Sequence, residues 1–482
     1  MDKSSSIFSN KIKNSAYKKS VKTKAKFIKR FGDDSTVIYN LKAVDNRVLG
    51  PILGVKDLVL GEGDCNIDPE KSVLIGNIRM GFGHYRISMA IASAARHLGY
   101  TPYWFDLNSF TTSTGGKVIA HLNKLYSLGS RLSQKYKLFN KFYWEPLNSE
   151  GFRKLEYNSS DQKVSELMVP LFKTIPKNMP CIATHVWPAQ GAVHSGIEKV
   201  INVIPDNWPM ALHLAEGSIH TVQTPSSFFG YKTLNGMAKQ ILNPMPSNSL
   251  YEVGHYIDHE IVSNLEDDCF KRIDRLKNGK ALRFLLTIGG AGAQRETFEK
   301  IIKKIIPFVK LKKAVLFINV GDHEQVLDQL INDIPELKNL LTQHSNNWDE
   351  TFGFTQNGIN SDIEGIHSFY NTDIFAAVYS TNLLMRISDI LITKPSELSF
   401  YPVPKLLIKR VGGHEAWGAV RAAEIGDGTI ECDTDGKIEQ MLDLIFNEDD
   451  ILEMMVNNIL KAHKIGVYNG AYRVVELLKG DR

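Results

Sequence analysis

Two short segments carry residue types that can handle phosphate. Gly81-Phe82-Gly83-His84-Tyr85-Arg86 and Gly289-Gly290-Ala291-Gly292 each follow a short apolar run and precede a helical pattern. Glycine lets backbone N–H groups approach an anion closely, and a helix N-terminus adds about half a positive charge. Such turns also arise for steric reasons alone. The first segment departs from the dinucleotide-binding pattern, because Arg86 stands where the third glycine would be and no clear acid-tipped second strand follows. A nicotinamide-dependent dehydrogenase is therefore disfavoured. His84 sits in the first loop, and Asp206, in Ile204-Pro205-Asp206-Asn207-Trp208, follows an expected strand. Side chains so placed can exchange a proton or can serve an ordinary loop or turn.

The elements that must hold these loops are legible from periodicity. Residues 72–76 read as a buried strand, and Ile87, Ala90, Ile91, Ala94 and Leu98 recur at helical spacing until Gly99 supplies a stop. Residues 101–106 give a second strand, so two parallel strands flank one helix with a right-handed crossover. Residues 115–172 read as helical. Strands at 181–184, 200–204 and 220–223 complete one doubly wound α/β domain. The charged stretch 257–280 reads as a linker. The grammar then restarts: a strand at 282–288, the second glycine loop, and a helix carrying Phe298, Ile301, Ile302, Ile305 and Ile306. Strands at 314–320, 390–393 and 405–408 follow, a polar insertion is expected at 343–365, and helices at 450–464 and 471–479 close the chain. The expected organisation is an extension over 1–70, a first domain over 71–256, a linker over 257–280 and a second domain over 281–482.

The 482 residues suit two domains plus an extension, and 43% hydrophobic with 23% charged residues is ordinary globular composition. No apolar run approaches the roughly 20 residues of a membrane span. The cysteines Cys65, Cys181, Cys269 and Cys432 are scattered, suggesting neither a disulfide framework nor a clustered metal site and fitting a reducing cytoplasm. The net charge of +4 hides an asymmetry. Residues 1–30 hold ten Lys/Arg against Asp2, a net of +9, which leaves −5 for the rest. No apolar core follows those charges, so a secretory signal is not expected. The segment reads as a partly disordered basic arm, either merely solvated or drawn to anionic lipid. Nucleic acid is the weaker partner, because an acidic body opposes further phosphate contacts.

Four segments in order resemble the two-domain GT-B glycosyltransferases, with MurG-like and monogalactosyldiacylglycerol-synthase-like enzymes as the nearest types. Gly81-Phe82-Gly83-His84 resembles their G-x-G-H loop. Residues 289–294, with Gly289, Gly290, Gly292, Ala293 and Gln294, are similar to the second-domain loop that faces the donor diphosphate. Ile392-Thr393-Lys394-Pro395-Ser396-Glu397 is similar to the donor segment, whose glutamate binds the nucleotide ribose, and Gly413-His414-Glu415 followed by Gly426-Asp427-Gly428 resembles the segment that ends the donor site. The stretch from Lys394-Pro395 to the glutamate is shorter than in that family, and Gly418 or Ala419 replaces its usual Asn.

The resemblance implies two doubly wound domains facing a cleft and transfer of a sugar from a nucleotide-diphosphate donor, with UDP the expected carrier, to an acceptor hydroxyl. It assigns Gly289, Gly290, Gly292, Ala293, Gln294, Lys394, Ser396, Glu397, Gly413, His414 and Glu415 to the donor and Gly81, Gly83 and Arg86 to the acceptor side. An inverting transfer needs a base, for which His84 and Asp206 are the candidates; His213 and His220 read as structural. No metal or cofactor is expected beyond the UDP-sugar co-substrate, since backbone N–H groups, a helix dipole and cations can carry the leaving-group charge. A lipid or lipid-linked acceptor at the cytoplasmic membrane face is expected, with residues 1–30 on the anionic surface. The aromatic and basic run at 135–144 either enters the membrane interface or packs into a core. A UDP-sugar 2-epimerase of the same fold and a non-catalytic sugar-nucleotide-binding protein are the alternatives.

Overall fold

The computed structural model describes residues 2–62, 67–289 and 294–480. The chain forms two compact units: Met1–Asp258 with Gly412–His414 and Asn469–Arg482, and His259–Val411 with Glu415–Tyr468.

The first unit is built on an eight-stranded sheet of β1 (Leu41–Asp45), β2 (Lys56–Leu60), β3 (Ser72–Asn77), β4 (Thr101–Asp106), β5 (Cys181–Ala183), β6 (Val200–Val203), β7 (Ile219–Val222) and β8 (Leu250–Glu252). Its order is β8-β7-β6-β5-β3-β4-β2-β1, parallel throughout except for β1 against β2. Val73, Leu74 and Ile75 are fully buried, as a strand covered on both faces requires. The helix Gly83–His97 returns the chain from β3 to β4, and its small residues Ser88, Ala90, Ala92, Ser93, Ala94 and Ala95 are all buried.

The described residues of the expected N-terminal extension do not form a disordered arm. Asn14–Phe31 is an 18-residue helix, and β1 and β2 extend the sheet. The inward stripe of this helix, Tyr17, Ser20, Lys24, Phe27, Ile28 and Phe31, recurs at helical spacing. Lys13 pairs with Glu156 at 3.0 Å, Lys24 with Glu166 at 2.5 Å, and Asp2 with Lys163 at 2.7 Å, which ties the segment to the helix Leu155–Ser165 and to Glu166 just beyond it. Ile7 and Phe8 enter a buried cluster with Val222 and Tyr231. A count of charge over the segment treats every lysine as solvated, whereas Lys13 and Lys24 meet acids.

The second unit holds a six-stranded, wholly parallel sheet: β9 (Leu282–Thr287), β10 (Ala314–Gly321), β11 (Leu341–Ser345), β12 (Ile366–Tyr370), β13 (Ile390–Thr393) and β14 (Lys405–Leu407), in the order β11-β12-β10-β9-β13-β14. Two expectations are corrected here. The charged linker is the helix Leu265–Lys277 within this unit, with Arg272 donating to Ser388 O and Met385 O and Arg275 gripping Asp389 at 2.6 Å. The polar insertion is β11 plus the helix Trp348–Gly358, where buried His344 bonds Glu350 at 2.7 Å and His367 at 3.1 Å. In both, polar residues are satisfied inside the fold, so polarity does not mark a loop.

Candidate functional site

In an open α/β sheet, ligands bind beyond the carboxyl ends of the strands where the chain reverses its direction of winding. Each unit has one such point. In the first, β3 lies between β4 and β5, so the chain leaves β3 toward one side and returns at β5 on the other. The loops after β3 and β5 deliver His84 and His185.

His84 is the second residue of the helix Gly83–His97, which follows a turn in which Gly81 adopts φ +101°, a conformation that side chains resist. It donates Nδ1–H to Thr184 O at 2.6 Å, across from β5. In the neutral ring this bond leaves Nε2 as the proton-accepting nitrogen. His185 caps the helix Val186–His194, and its ring meets that of His84 edge to face, centroids 4.9 Å apart. Asp206 follows β6, and His213 in the turn Ala211–His213 donates Nε2–H to its Oδ2 at 2.9 Å. Burial is the largest influence holding the His185 imidazole well below its ordinary pKa; His84 and His213 act in the same sense, and Asp206 opposes them. Three histidines and a carboxylate thus share one electrostatic neighbourhood.

Sequence reasoning singled out His84 and Asp206, passed over His185, and read His213 as structural. The structure couples His213 to Asp206. Their signal is weak in the chain, since both follow short strands whose neighbours are fixed only by the sheet. His220 lies fully buried, donating Nδ1–H to Ser249 O and accepting from Ala215 N–H, and burial depresses its pKa to about 4. Gly83 opens the helix, while Arg86 is buried within the helix's inner face. β4 does end in an acid, Asp106, but it is occupied: it accepts from Tyr85 Oη at 2.5 Å and from Asn108 N.

In the second unit β9 lies between β10 and β13, and Thr287 Oγ1 donates to Thr393 Oγ1 at 2.9 Å where β9 and β13 end. Gly289 follows β9; Gly290, Gly292 and Ala293 lie outside the described residues, as does the side chain of His414. Gln294, at φ +72°, precedes the helix Arg295–Lys310 and donates Nε2–H to Lys409 O at 2.5 Å. After β13 the chain turns at Lys394-Pro395-Ser396, with Ser396 N donating to Lys394 O, and half-buried Glu397 opens the turn Glu397–Phe400. Lys394 pairs with Glu415, whose other oxygen accepts from Val411 N at 2.7 Å. Gly418 admits this turn, because a Cβ there would stand 2.6 Å from Ser399 Oγ and 3.0 Å from Pro395 O. These loops bring Gly289, Gln294, Lys394, Ser396, Glu397 and Glu415 to one unit, whereas Gly413 groups with the first. Asp427 is no ligand: it is buried on Lys405 at 2.8 Å and accepts from Tyr468 Oη.

Two family models cover nearly the whole chain. Residues 6–233 match the family described as "Domain of unknown function (DUF6937)" and residues 245–479 that described as "Domain of unknown function (DUF6938)". No curated protein matches the chain. Among solved structures, UDP-GlcNAc 2-epimerase from Neisseria meningitidis is similar at 14% identity and a TM-score of 0.44, over 85% of this chain and 100% of that one. A glycosyltransferase from Rickettsia africae is similar at 13% identity and 0.41, over 85% and 99%. The alpha,alpha-trehalose 6-phosphate synthase of Burkholderia multivorans gives 10% identity and 0.43, over 84% and 97%.

Proposed function

We propose that the protein is a GT-B-type glycosyltransferase that moves a hexose from a UDP-sugar to an acceptor hydroxyl. The observation that carries this reading is a division of chemistry between two winding-reversal points. The first unit offers titratable groups able to handle a hydroxyl proton, and the second offers a glycine-led turn before a helix, with carboxylates suited to ribose. The transfer is inverting: His84 Nε2, or Asp206 through its contact with His213, takes the acceptor proton while backbone N–H groups and the dipole of the helix Arg295–Lys310 stabilise the diphosphate leaving group without a metal. Lys394 is balanced by Glu415, so its part is to orient that loop as well as to face phosphate.

The acceptor in this reading is a lipid or lipid-linked hydroxyl at the cytoplasmic face of an anionic membrane. Support comes from the helix Asn14–Phe31, whose exposed Lys18, Lys19, Lys22, Lys26 and Lys29 fall within an arc of about 100° over about 16 Å. Leu138, Phe142 and Tyr143 add exposed apolar area, at 72%, 71% and 59%, so the core-packing alternative for that run fails at these positions. Among the described residues no helix is long and apolar enough to cross a membrane, so contact of this kind is peripheral.

Thermal-shift measurements against UDP, GDP, ADP and their sugars test the donor. A ligand at about 100 times its dissociation constant stabilises by about 2.7 kcal/mol, and no shift with any of them would overturn the reading. Conversion of the donor to its C2 epimer without UDP release would replace transfer by epimerisation. Reversing Lys18, Lys22, Lys26 and Lys29 to Glu should abolish co-sedimentation with phosphatidylserine vesicles at low salt; unchanged binding would remove the membrane from the proposal.

A further inference from the structure

His185 stands at the carboxyl end of β5 in extended backbone, φ −140° and ψ 150°, as the N-cap of the helix Val186–His194. N-cap side chains accept a hydrogen bond from an early helical N–H, a task usually given to Ser, Thr, Asp or Asn. Here a histidine performs it: Trp187 donates its backbone N–H to Nδ1 at 3.2 Å. A nitrogen that accepts carries no proton, so the neutral ring keeps its hydrogen on Nε2. Protonating Nδ1 would break the cap, set a cation at the positive end of a helix, and charge a side chain that is only 6% exposed. All three effects hold the ring neutral, as do the neighbouring His84 and His213 rings. The bond to Trp187 is this ring's one hydrogen bond among the described residues.

His84 is fixed in the opposite sense. Its Nδ1–H is committed to Thr184 O, so that in the neutral ring Nε2 is the accepting nitrogen. The two rings lie 4.9 Å apart between centroids with their planes at 77°. One oxygen hydrogen-bonded at about 2.8 Å to two nitrogens bridges a separation of about 4.5 Å, a span these rings can present. A donor on His185, which feels the Asp206 carboxylate, beside an accepting nitrogen on His84 suits a group that both donates and accepts. A sulfate or an ionised carboxylate only accepts.

We propose that His185 donates Nε2–H to the oxygen of the acceptor hydroxyl whose proton His84 accepts, so that the histidine pair selects a neutral hydroxyl at the carboxyl edge of the first sheet. In the transfer step the O–H bond breaks, its proton passes to His84 Nε2, and an oxygen lone pair forms the new bond to the sugar's anomeric carbon. The bond from that carbon to the diphosphate breaks, and its electrons leave on the diphosphate. The step rests on the sugar-transfer reading; the tautomer and the hydroxyl site do not.

The test uses the full chain labelled with 15N and records the histidine ring signals between about pH 5 and 8, the range in which an ordinary imidazole titrates. His185 is expected to stay neutral with its proton on Nε2, and methyl β-glucoside, a hydroxyl probe, is expected to move that signal where inorganic sulfate, which only accepts, does not. His185→Asn keeps a capping acceptor but shortens the side chain; it should retain the wild-type melting temperature and slow UDP release from UDP-glucose, with water as the hydroxyl, by about tenfold. A proton on Nδ1, an imidazolium near neutral pH, a signal indifferent to the glucoside, or one moved by sulfate instead would overturn the assignment. The expected ring signals without any UDP-sugar binding would remove the donor reading and leave the hydroxyl site standing.

Discussion

Replacing Asp161 by Asn should change how stability depends on pH, in a direction opposite to the usual behaviour of carboxylates. Asp161 lies on the helix Leu155–Ser165, buried, with Trp187 donating Nε1–H to Oδ1 at 3.1 Å and Oδ2 without a hydrogen-bond partner among the described residues. Burial raises its pKa from 3.8 to about 7, against the lowering effect of the Trp187 bond. Between those values the folded state binds more protons than the unfolded chain, so stability falls as pH rises through the folded pKa. The two pKa values give a loss of about 1.4 kcal/mol on going from about pH 6 to about pH 8. His220, depressed from 6.5 to about 4, works the other way, favouring the unfolded chain as pH falls below 6.5, but it is common to both proteins and cancels in the comparison. Asn is isosteric, keeps an oxygen for Trp187 and cannot ionise. Urea denaturation at the two pH values should therefore find variant and wild type closest at the lower pH, with the variant gaining about 1.4 kcal/mol at the higher one. A difference between the proteins that stays constant with pH would refute an ionising buried carboxyl at this position.

Glu397→Ala should weaken UDP binding by about 1.5 to 3 kcal/mol with the melting temperature retained; calorimetric titration showing unchanged affinity would take Glu397 out of the site. His84→Ala or Asp206→Ala, whichever removes the base, should lower UDP release about 100-fold while UDP affinity holds, and wild-type turnover in both would dismiss the acceptor-side chemistry. Asp389→Ala strands Arg275 and takes an acceptor from the Arg283 backbone N–H, so urea denaturation should register a loss of about 3 to 5 kcal/mol. A loss well under that range would mean that water reaches the exposed guanidinium.

Much of the architecture was legible in the chain because fully covered parallel strands need unbroken apolar runs. The expected strand at 72–76 is β3, that at 282–288 is β9, and 390–393 is β13 with the same ends. The glycine turns marked where the two reversal points would lie, and His84 was conspicuous because it adjoins one of them. The helix Asn14–Phe31 was hidden by its lysines, and its partner, the helix Leu155–Ser165, gave no amphipathic signal, since Asn158, Ser159, Asp161, Gln162 and Ser165 are all buried. Polar residues that find partners inside a fold look like surface until the partners are known.

The remaining part of the site depended on strand order. Thr184, which orients His84, is 100 residues away along the chain, and it comes within hydrogen-bond reach because β5 pairs with β3 in place of β4's other edge. That pairing puts His185 against His84, while the turn after β6 sets His213 on Asp206. Residue type and local period specify an element and its buried face, but neighbouring parallel strands are joined through a helix and a long connection, so their order is decided by how whole layers cover one another. The sequence by itself determined two doubly wound units and one histidine of the cluster; only the tertiary structure decided which distant side chains would stand beside it and which tautomer each would hold.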